Sequence, residues 1–438
     1  MTAGSTDGVA PDHAIDAAMR AWGAEGRDNP HPLAAEMLRR GPVHRVTLAD
    51  GHDAYLVLGY EYARQALADP RLSKDMDAAL GTGEKVVAEG LPGPDFARHM
   101  LAVDPPDHTR LRRLVSAAFS TRRVEQLRPR VEQIVQDLLD GLVACSDRPV
   151  DLVAEFALPL PFTVICELLG VPEGTRPTLK KGLADLLVPD SSGDAYEQAR
   201  RGSDVVVGVI HDLVEEKRAD PTDDLISALI AARDGGDRLD ERELRSSIFQ
   251  LIVAGYHTTT TLIGNSLVAL MDHDDRLAEL RADPDLVPKA LEELLRFDAP
   301  VPHSTFRYAK ESVELGGETI PAGAQVLISL AAANRDPDTF TDPHELNLHR
   351  DEGRHLAFGH GTHFCLGAKL ARMEGAIALS GLLQRFPVIR LATDRDQLHW
   401  DYGDGLVLRS LTELPVWLET QSPTPAEATV SGSRQNMQ

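Results

Sequence analysis

The segment Asp240 to Met271 reads as one uninterrupted helical pattern, longer than any other in the chain. At 1.5 Å per residue it would run about 48 Å, the full width of a domain built around it. Its middle is Ala254-Gly255-Tyr256-His257-Thr258-Thr259-Thr260-Thr261. Glycine and threonine are poor helix formers. A threonine inside a helix can also bond back to a carbonyl one turn earlier and loosen the ladder. A weak centre in the longest helix has two readings, close approach of another element or a functional site, and spacing alone leaves both open.

Helical patterns cover most of the remaining chain: roughly Tyr60–Ala68, Pro106–Ser120, Val124–Ala144, Glu155–Leu169, Ala195–Arg218, Leu225–Ala232, Val287–Phe297 and Leu366–Phe386, the last stopped by Pro387. Val43 to Leu58 alternates around Asp50-Gly51 as a hairpin does. Short strands are expected at Ser304–Ala309, Val313–Leu315, Gln325–Leu330, Gly405–Leu411 and Leu414–Leu418. No repeat and no Gly/Ser/Pro-rich linker divides the 438 residues. We therefore expect one mainly α domain with small peripheral β-sheets over 29–420, flanked by disordered segments at 1–28 and 421–438.

Hydrophobic content of 42% and charged content of 26% fit a water-soluble globular chain. The net charge of −23 argues against nucleic acid and anionic membranes as partners. The first thirty residues lack the apolar core of a signal peptide, and no apolar run reaches the length of a membrane span, so a cytoplasmic protein is expected. Three cysteines are too few and too scattered for a disulfide framework. Cys166 sits in an apolar run and reads as a core thiol, and Cys145 ends a helical pattern.

Cys365 differs. It lies in Phe358-Gly359-His360-Gly361-Thr362-His363-Phe364-Cys365-Leu366-Gly367, where three glycines imply a tight loop against another group. The following helix would aim N–H groups and its positive dipole end at the sulfur, which stabilises a thiolate. Such a thiolate can be a nucleophile, a redox sensor or a metal ligand. No second cysteine stands at zinc-type spacing. A lone axial thiolate is what an oxygen-activating haem uses.

The pattern FGxGxHxCxG resembles the haem-binding signature of the cytochrome P450 superfamily. Four other segments resemble that family in the same order. Asp104-Pro105-Pro106-Asp107-His108-Thr109-Arg110-Leu111-Arg112-Arg113 is similar to the C-helix region of soluble bacterial members. Ala254-Gly255 with Thr258 resembles the oxygen-activation motif, Glu293-Leu294-Leu295-Arg296 the ExxR motif, and Ala333-Asn334-Arg335-Asp336-Pro337 the stretch before the meander loop. The likeness runs from about Val43 to Leu418.

It implies a triangular, mainly helical fold and haem b held by Cys365. His108, Arg112, Arg307 and His363 would bind the propionates, and planar Arg forks suit carboxylates. Phe358 and Gly359 would lie near the proximal face. The N–H groups of Leu366 and Gly367 would bond the sulfur and tune the iron. Thr258 would serve dioxygen and the proton relay, and Gly255 would leave room for dioxygen. The implied reaction takes dioxygen, a small-molecule substrate and electrons from a separate ferredoxin or flavodoxin with its reductase, in a protein expected to be a monomer. Soluble bacterial relatives tailor specialised metabolites such as polyketides, macrolides, cyclic peptides or terpenoids. Oxidative coupling without hydroxylation is the rival chemistry, and a non-catalytic haem-binding protein a further one. Substrate contacts are expected from Lys74–Val103, Val171–Gly193, Leu251–Gly255, Pro300–Phe306 and Tyr402–Leu406.

Two positions depart from the family pattern. His257 stands where an acid is usual, as a substitute relay, a contact for an unusual substrate, or a residue pointing away. Glu345 stands where an Arg usually joins the ExxR pair, so Arg350 or His344 would have to substitute. Finally, Arg110, Arg113, Arg122, Arg123, Arg128, Arg130, Lys369 and Arg372 form a basic cluster that could steer an acidic electron donor.

Overall fold

The computed structural model describes residues 29–48, 51–80, 96, 98–145, 147–186, 194–232, 238–401 and 407–420. The expected disordered ends, the tip residue Asp50, much of the first substrate region and all of Tyr402–Leu406 lie outside the described residues.

Five helices position the site. They are α1 (Asp107–Ala118), α2 (Thr121–Val143), α3 (Glu241–Met271), α4 (Val287–Phe297) and α5 (Ala368–Arg385). The long helix starts one residue later than expected because Asp240 is its N-cap. The Asp240 carboxylate accepts from the Glu243 N–H at 2.8 Å, and the Glu243 carboxylate accepts from the Asp240 N–H at 3.0 Å. This reciprocal capping box satisfies two donors that the first turn leaves open. On either side of its centre, α3 buries its own Ile248, Ile252, Leu262, Ile263, Leu267 and Leu270 in the main core. Only its centre departs, where Ala254 is exposed and Val253, Gly255, His257 and Thr258 are half-buried. An exposed alanine midway along the most enclosed helix borders an internal hollow.

The expected helix Glu155–Leu169 is broken into a π-turn over Val153–Ala157 and a helix over Pro159–Leu169, because Pro159 lacks an N–H to continue the ladder. Helices His31–Arg40, Arg176–Leu186 and Asp274–Ala282 were not expected. Their apolar stripes are short and interrupted by charge.

The largest sheet holds β1 (Val43–Thr47), β2 (Asp53–Val57), β3 (Leu72–Ser73), β4 (Arg307–Ala309) and β5 (Gln325–Ile328) in the order β1-β2-β5-β4-β3. The hairpin pairs Val43 with Val57, and Gly51 turns it with φ +86°. At the far edge, Leu72 pairs with Ala309 and Ser73 with Tyr308, antiparallel. The strand expected at Ser304–Ala309 is therefore only its last three residues. No helix among the described residues is long and apolar enough to cross a membrane.

Candidate active site

The cysteine loop is built by its glycines. Gly359 and Gly361 hold φ values of +73° and +70°. A Cβ on Gly361 would also meet the Leu67 carbonyl oxygen at 3.1 Å and Ala68 Cα at 3.2 Å, so only glycine fits. The Cys365 N–H donates to the Phe358 carbonyl at 2.9 Å and closes the loop.

The helix after the loop begins at Ala368 rather than Leu366. The sulfur therefore accepts from the N–H groups of Gly367 and Ala368, and the expected Leu366 donor is not used. Burial raises the Cys365 pKa, opposed by the Gly367 N–H, the charges of Arg112 and Arg372, and the Ala368 N–H. The residue is nonetheless exposed by surface area. The two statements agree if the sulfur faces a hollow deep inside the fold, where surface is reachable but water is scarce. Phe364, beside it, is 42% exposed for the same reason. Arg112 Nη2 donates to the Phe364 carbonyl at 2.7 Å and ties α1 to the loop.

Phe358 packs against the core and stacks on Arg372, whose guanidinium lies 4.3 Å from the ring centroid. Glu292 accepts from Arg372 at 2.6 and 2.8 Å. Sequence reasoning assigned Arg372 to the partner-facing cluster. Its place seven residues after Cys365, in the second turn of α5, was the available signal.

Basic side chains gather close to this loop. His108 is 2% exposed, its ring lies 4.3 Å from that of His363, and neither of its nitrogens has a hydrogen-bond partner. Burial and then the charge of Arg112 lower its pKa. Arg307 donates to the carbonyls of Leu72 and Leu67 at 3.1 Å each, while its buried Nε has no partner. Burial brings its pKa down to about 10. His363 is depressed to about 2, by burial first and then by His108, Arg307, Lys74 and Arg112. A buried Arg307 with an unused Nε, beside imidazoles held neutral and a His108 with both nitrogens unbonded, leaves donors without an anion. The two carboxylates of haem b fit this deficit, and the cysteine sulfur fits its iron.

On α3, the Thr258 hydroxyl donates to the Ala254 carbonyl at 2.9 Å, and Thr260 and Thr261 do the same to Tyr256 and His257. The ladder is loosened where the hollow lies. Gly255 does not open toward the hollow. A Cβ there would meet Ile165 Cδ1 and Cγ1 at 3.0 Å, so the glycine lets the Pro159–Leu169 helix pack close. The expected space for dioxygen at Gly255 is thus corrected, and Ala254 is the small residue facing the hollow. The His257 ring lies 4.1 Å from that of Tyr256, which meets Phe162 edge-on at 5.6 Å. Burial depresses His257 to about 4, so it is neutral at ordinary pH.

The ExxR pair is complete despite Glu345. Arg296 is bidentate to Glu293 at 2.7 and 2.8 Å and donates to the carbonyls of Asn334, Pro343 and Glu345. Glu345 takes part only through its backbone, with its side chain outward. Arg350 supplies the third member, donating Nε to Glu293 at 3.2 Å. The basic cluster is more neutral than its sequence. Arg110 pairs with Glu243, Arg123 with Asp223, Arg128 with Glu125, Arg130 with Glu167 and Arg372 with Glu292.

A mainly helical fold in which a lone sulfur, bonded by helix N–H groups, lies near buried Arg and His donors that lack an anion is the layout of a haem-thiolate oxidoreductase. Residues 183–413 match the sequence profile described as Cytochrome P450. The chain is 47% identical over 383 residues to Cytochrome P450 107B1 of Saccharopolyspora erythraea, covering 86% of this chain and 93% of that protein. It is 45% identical over 391 residues to 6-deoxyerythronolide B hydroxylase of the same organism, covering 88% and 95%. The solved tirandamycin C-bound P450 monooxygenase TamI superposes with a TM-score of 0.80 at 43% identity, covering 90% and 98%. The chain belongs to the cytochrome P450 family, and with it come haem b, a cysteine thiolate ligand and monooxygenase activity on a small molecule.

Proposed function

We propose that this P450 tailors a bacterial specialised metabolite, with Cys365 as axial ligand, His108, Arg112, Arg307 and His363 on the haem propionates, and Thr258 at the dioxygen site. The carrying observation is the pair of buried basic side chains with unused nitrogens, His108 and Arg307, close to a loop whose sulfur accepts two helix N–H groups. Haem b, when bound, supplies the reductive activation of dioxygen. The chain's own groups do the rest. The Gly367 and Ala368 N–H groups and the nearby Arg112 and Arg372 stabilise the thiolate over the thiol. Phe358 and Phe364 keep water from the sulfur. Thr258, whose proton is committed to the Ala254 carbonyl, offers its lone pairs to the hollow and can hand on a proton by rotating its hydroxyl. His257 takes no charge, so it acts as a neutral imidazole beside that hydroxyl.

The relatives' own named compounds, 6-deoxyerythronolide B and tirandamycin C, support a substrate of that kind. Electrons come from a separate ferredoxin or flavodoxin and its reductase. We place the protein in the cytoplasm as a monomer.

The test is the ferrous–CO spectrum of the parent and of Cys365→Ser. The parent should give the red-shifted thiolate band and the variant should lose it with the fold intact. A parent without that band sinks the reading. Turnover with a ferredoxin system and labelled dioxygen then separates hydroxylation, which puts label in the product, from coupling, which does not.

A further inference from the structure

Lys74 is the most deeply placed lysine near the hollow, 8% exposed, and nothing in the family signature accounts for it. It follows β3 directly, and continuing the register Leu72–Ala309, Ser73–Tyr308 places it opposite Arg307. Like charges directly opposite on adjacent strands repel. Here both are buried and neither meets a carboxylate through its side chain. The Lys74 ammonium donates to the Thr305 hydroxyl and, at 2.7 Å, to the Phe306 carbonyl, which leaves a third donor. Arg307 uses its two Nη groups on backbone carbonyls and has a buried Nε without a partner.

The nearest acid is already engaged. The Asp104 carboxylate takes the Ser73 hydroxyl and, at 3.0 Å, the Lys74 backbone N–H, with Lys310 Nζ at 3.8 Å. Asp69, within electrostatic reach of Arg307, is bound by the Arg71 side chain. The groups facing Lys74 from other elements are basic: Arg307 from β4, His99 from the segment before α1, and His363 from the cysteine loop. The lysine depresses both histidines, and burial followed by Arg307 drives the lysine itself well below its ordinary pKa. A buried lysine bonded only to neutral oxygens, opposite the charged Arg307 and beside imidazoles held neutral, is costly unless an anion arrives.

We infer that Lys74 is a further cation for a haem propionate, acting beside Arg307, and that it belongs to the cofactor site rather than to the substrate region in which its sequence position placed it. The inference rests on the haem reading above. A purely structural lysine, pinning β3 to the Thr305–Phe306 segment, is the alternative.

Haem dimethyl ester, which lacks the propionate charges, distinguishes the two. Holoenzyme is prepared with haem b or with the dimethyl ester, for the parent, Lys74→Met and Lys74→Arg, and haem loss to excess apomyoglobin is timed. With haem b, Lys74→Met should lose haem on the order of tenfold faster, the effect of one charge-assisted hydrogen bond. Lys74→Arg should stay near the parent. With the ester, parent and Lys74→Met should lose haem at the same rate. Equal acceleration with both haems, or no acceleration with haem b, overturns the inference. If Lys74→Met does not fold, Lys74→Gln keeps a donor for the Phe306 carbonyl without the charge and gives the same comparison. A parent lacking the thiolate CO band would instead overturn the haem reading itself, so the two failures are distinct.

Discussion

Replacing Arg350 by Met takes a nearly enclosed guanidinium, 5% exposed at its side chain, out of the network beside the cysteine loop. Glu293 loses the 3.2 Å bond from Nε but keeps both bonds from Arg296 and the Asn347 N–H at 2.9 Å. The Thr341 carbonyl loses its donor, while that of Asp342 keeps the Glu345 N–H at 3.0 Å and that of Glu345 keeps Arg296. One lost charge-assisted bond and one orphaned carbonyl amount to about 2–3 kcal/mol. Arg296→Met removes both bidentate bonds and three carbonyl bonds from a buried acid, which costs about 3–5 kcal/mol or more. Glu345→Gln alters a side chain that points outward and should stay within about 0.5 kcal/mol of the parent. Urea unfolding followed by circular dichroism gives the three values. A cost for Arg350→Met no larger than that of Glu345→Gln would refute the claim that Arg350 replaces the missing arginine.

Gly255→Ala brings a Cβ to 3.0 Å from Ile165. Overpacking should outweigh the gain in helix propensity, for a net loss of about 1 kcal/mol that Ile165→Val largely restores in the double variant; an unchanged melting temperature with lost turnover would put the glycine's role back at dioxygen. His31, His99 and His257 are each depressed to about 4, chiefly by burial. Their folded pKa lies below the unfolded one, so the unfolded chain binds more protons between the two, and stability is full above about pH 6.5 and falls toward about pH 4, by up to about 1.4 kcal/mol per pH unit per group. Urea midpoints of the apoprotein should fall accordingly, and His257→Gln should make the slope shallower. Turnover and peroxide leakage of His257→Glu and His257→Ala should both differ from the parent, because a carboxyl or a methyl replaces a neutral imidazole beside Thr258; if both match the parent, His257 has no part in the relay. Five of the basic cluster's arginines are paired within the chain, so added salt should slow reduction by a ferredoxin only modestly, in stopped-flow traces, and a steep salt dependence would contradict that neutralisation.

Local chemistry made much of this protein readable. The long helix, the hairpin at Gly51 and the glycine-bracketed cysteine depend on periodicity, turn geometry and helix ends, all set by neighbours in the chain. The i−4 back-bonding of the threonines was predictable for the same reason. Where an element depended on a distant partner, reading the chain alone went astray. Gly255 answers to Ile165, Arg372 to Phe358 and Glu292, and four of the five paired arginines to acids on other elements. Lys74 was assigned to the substrate because its sequence neighbours are variable in character, whereas its cross-strand neighbour is Arg307.

By itself, then, the sequence determined the helical class, the thiolate-stabilising loop and the residue types for haem. Those are properties of short segments, where spacing dictates geometry. Only the tertiary structure decided which N–H groups reach the sulfur, which arginine completes the Glu293 pair, and which cations are left without an anion. Each is a matter of burial and charge summed over elements far apart in the chain, and spacing carries no record of it.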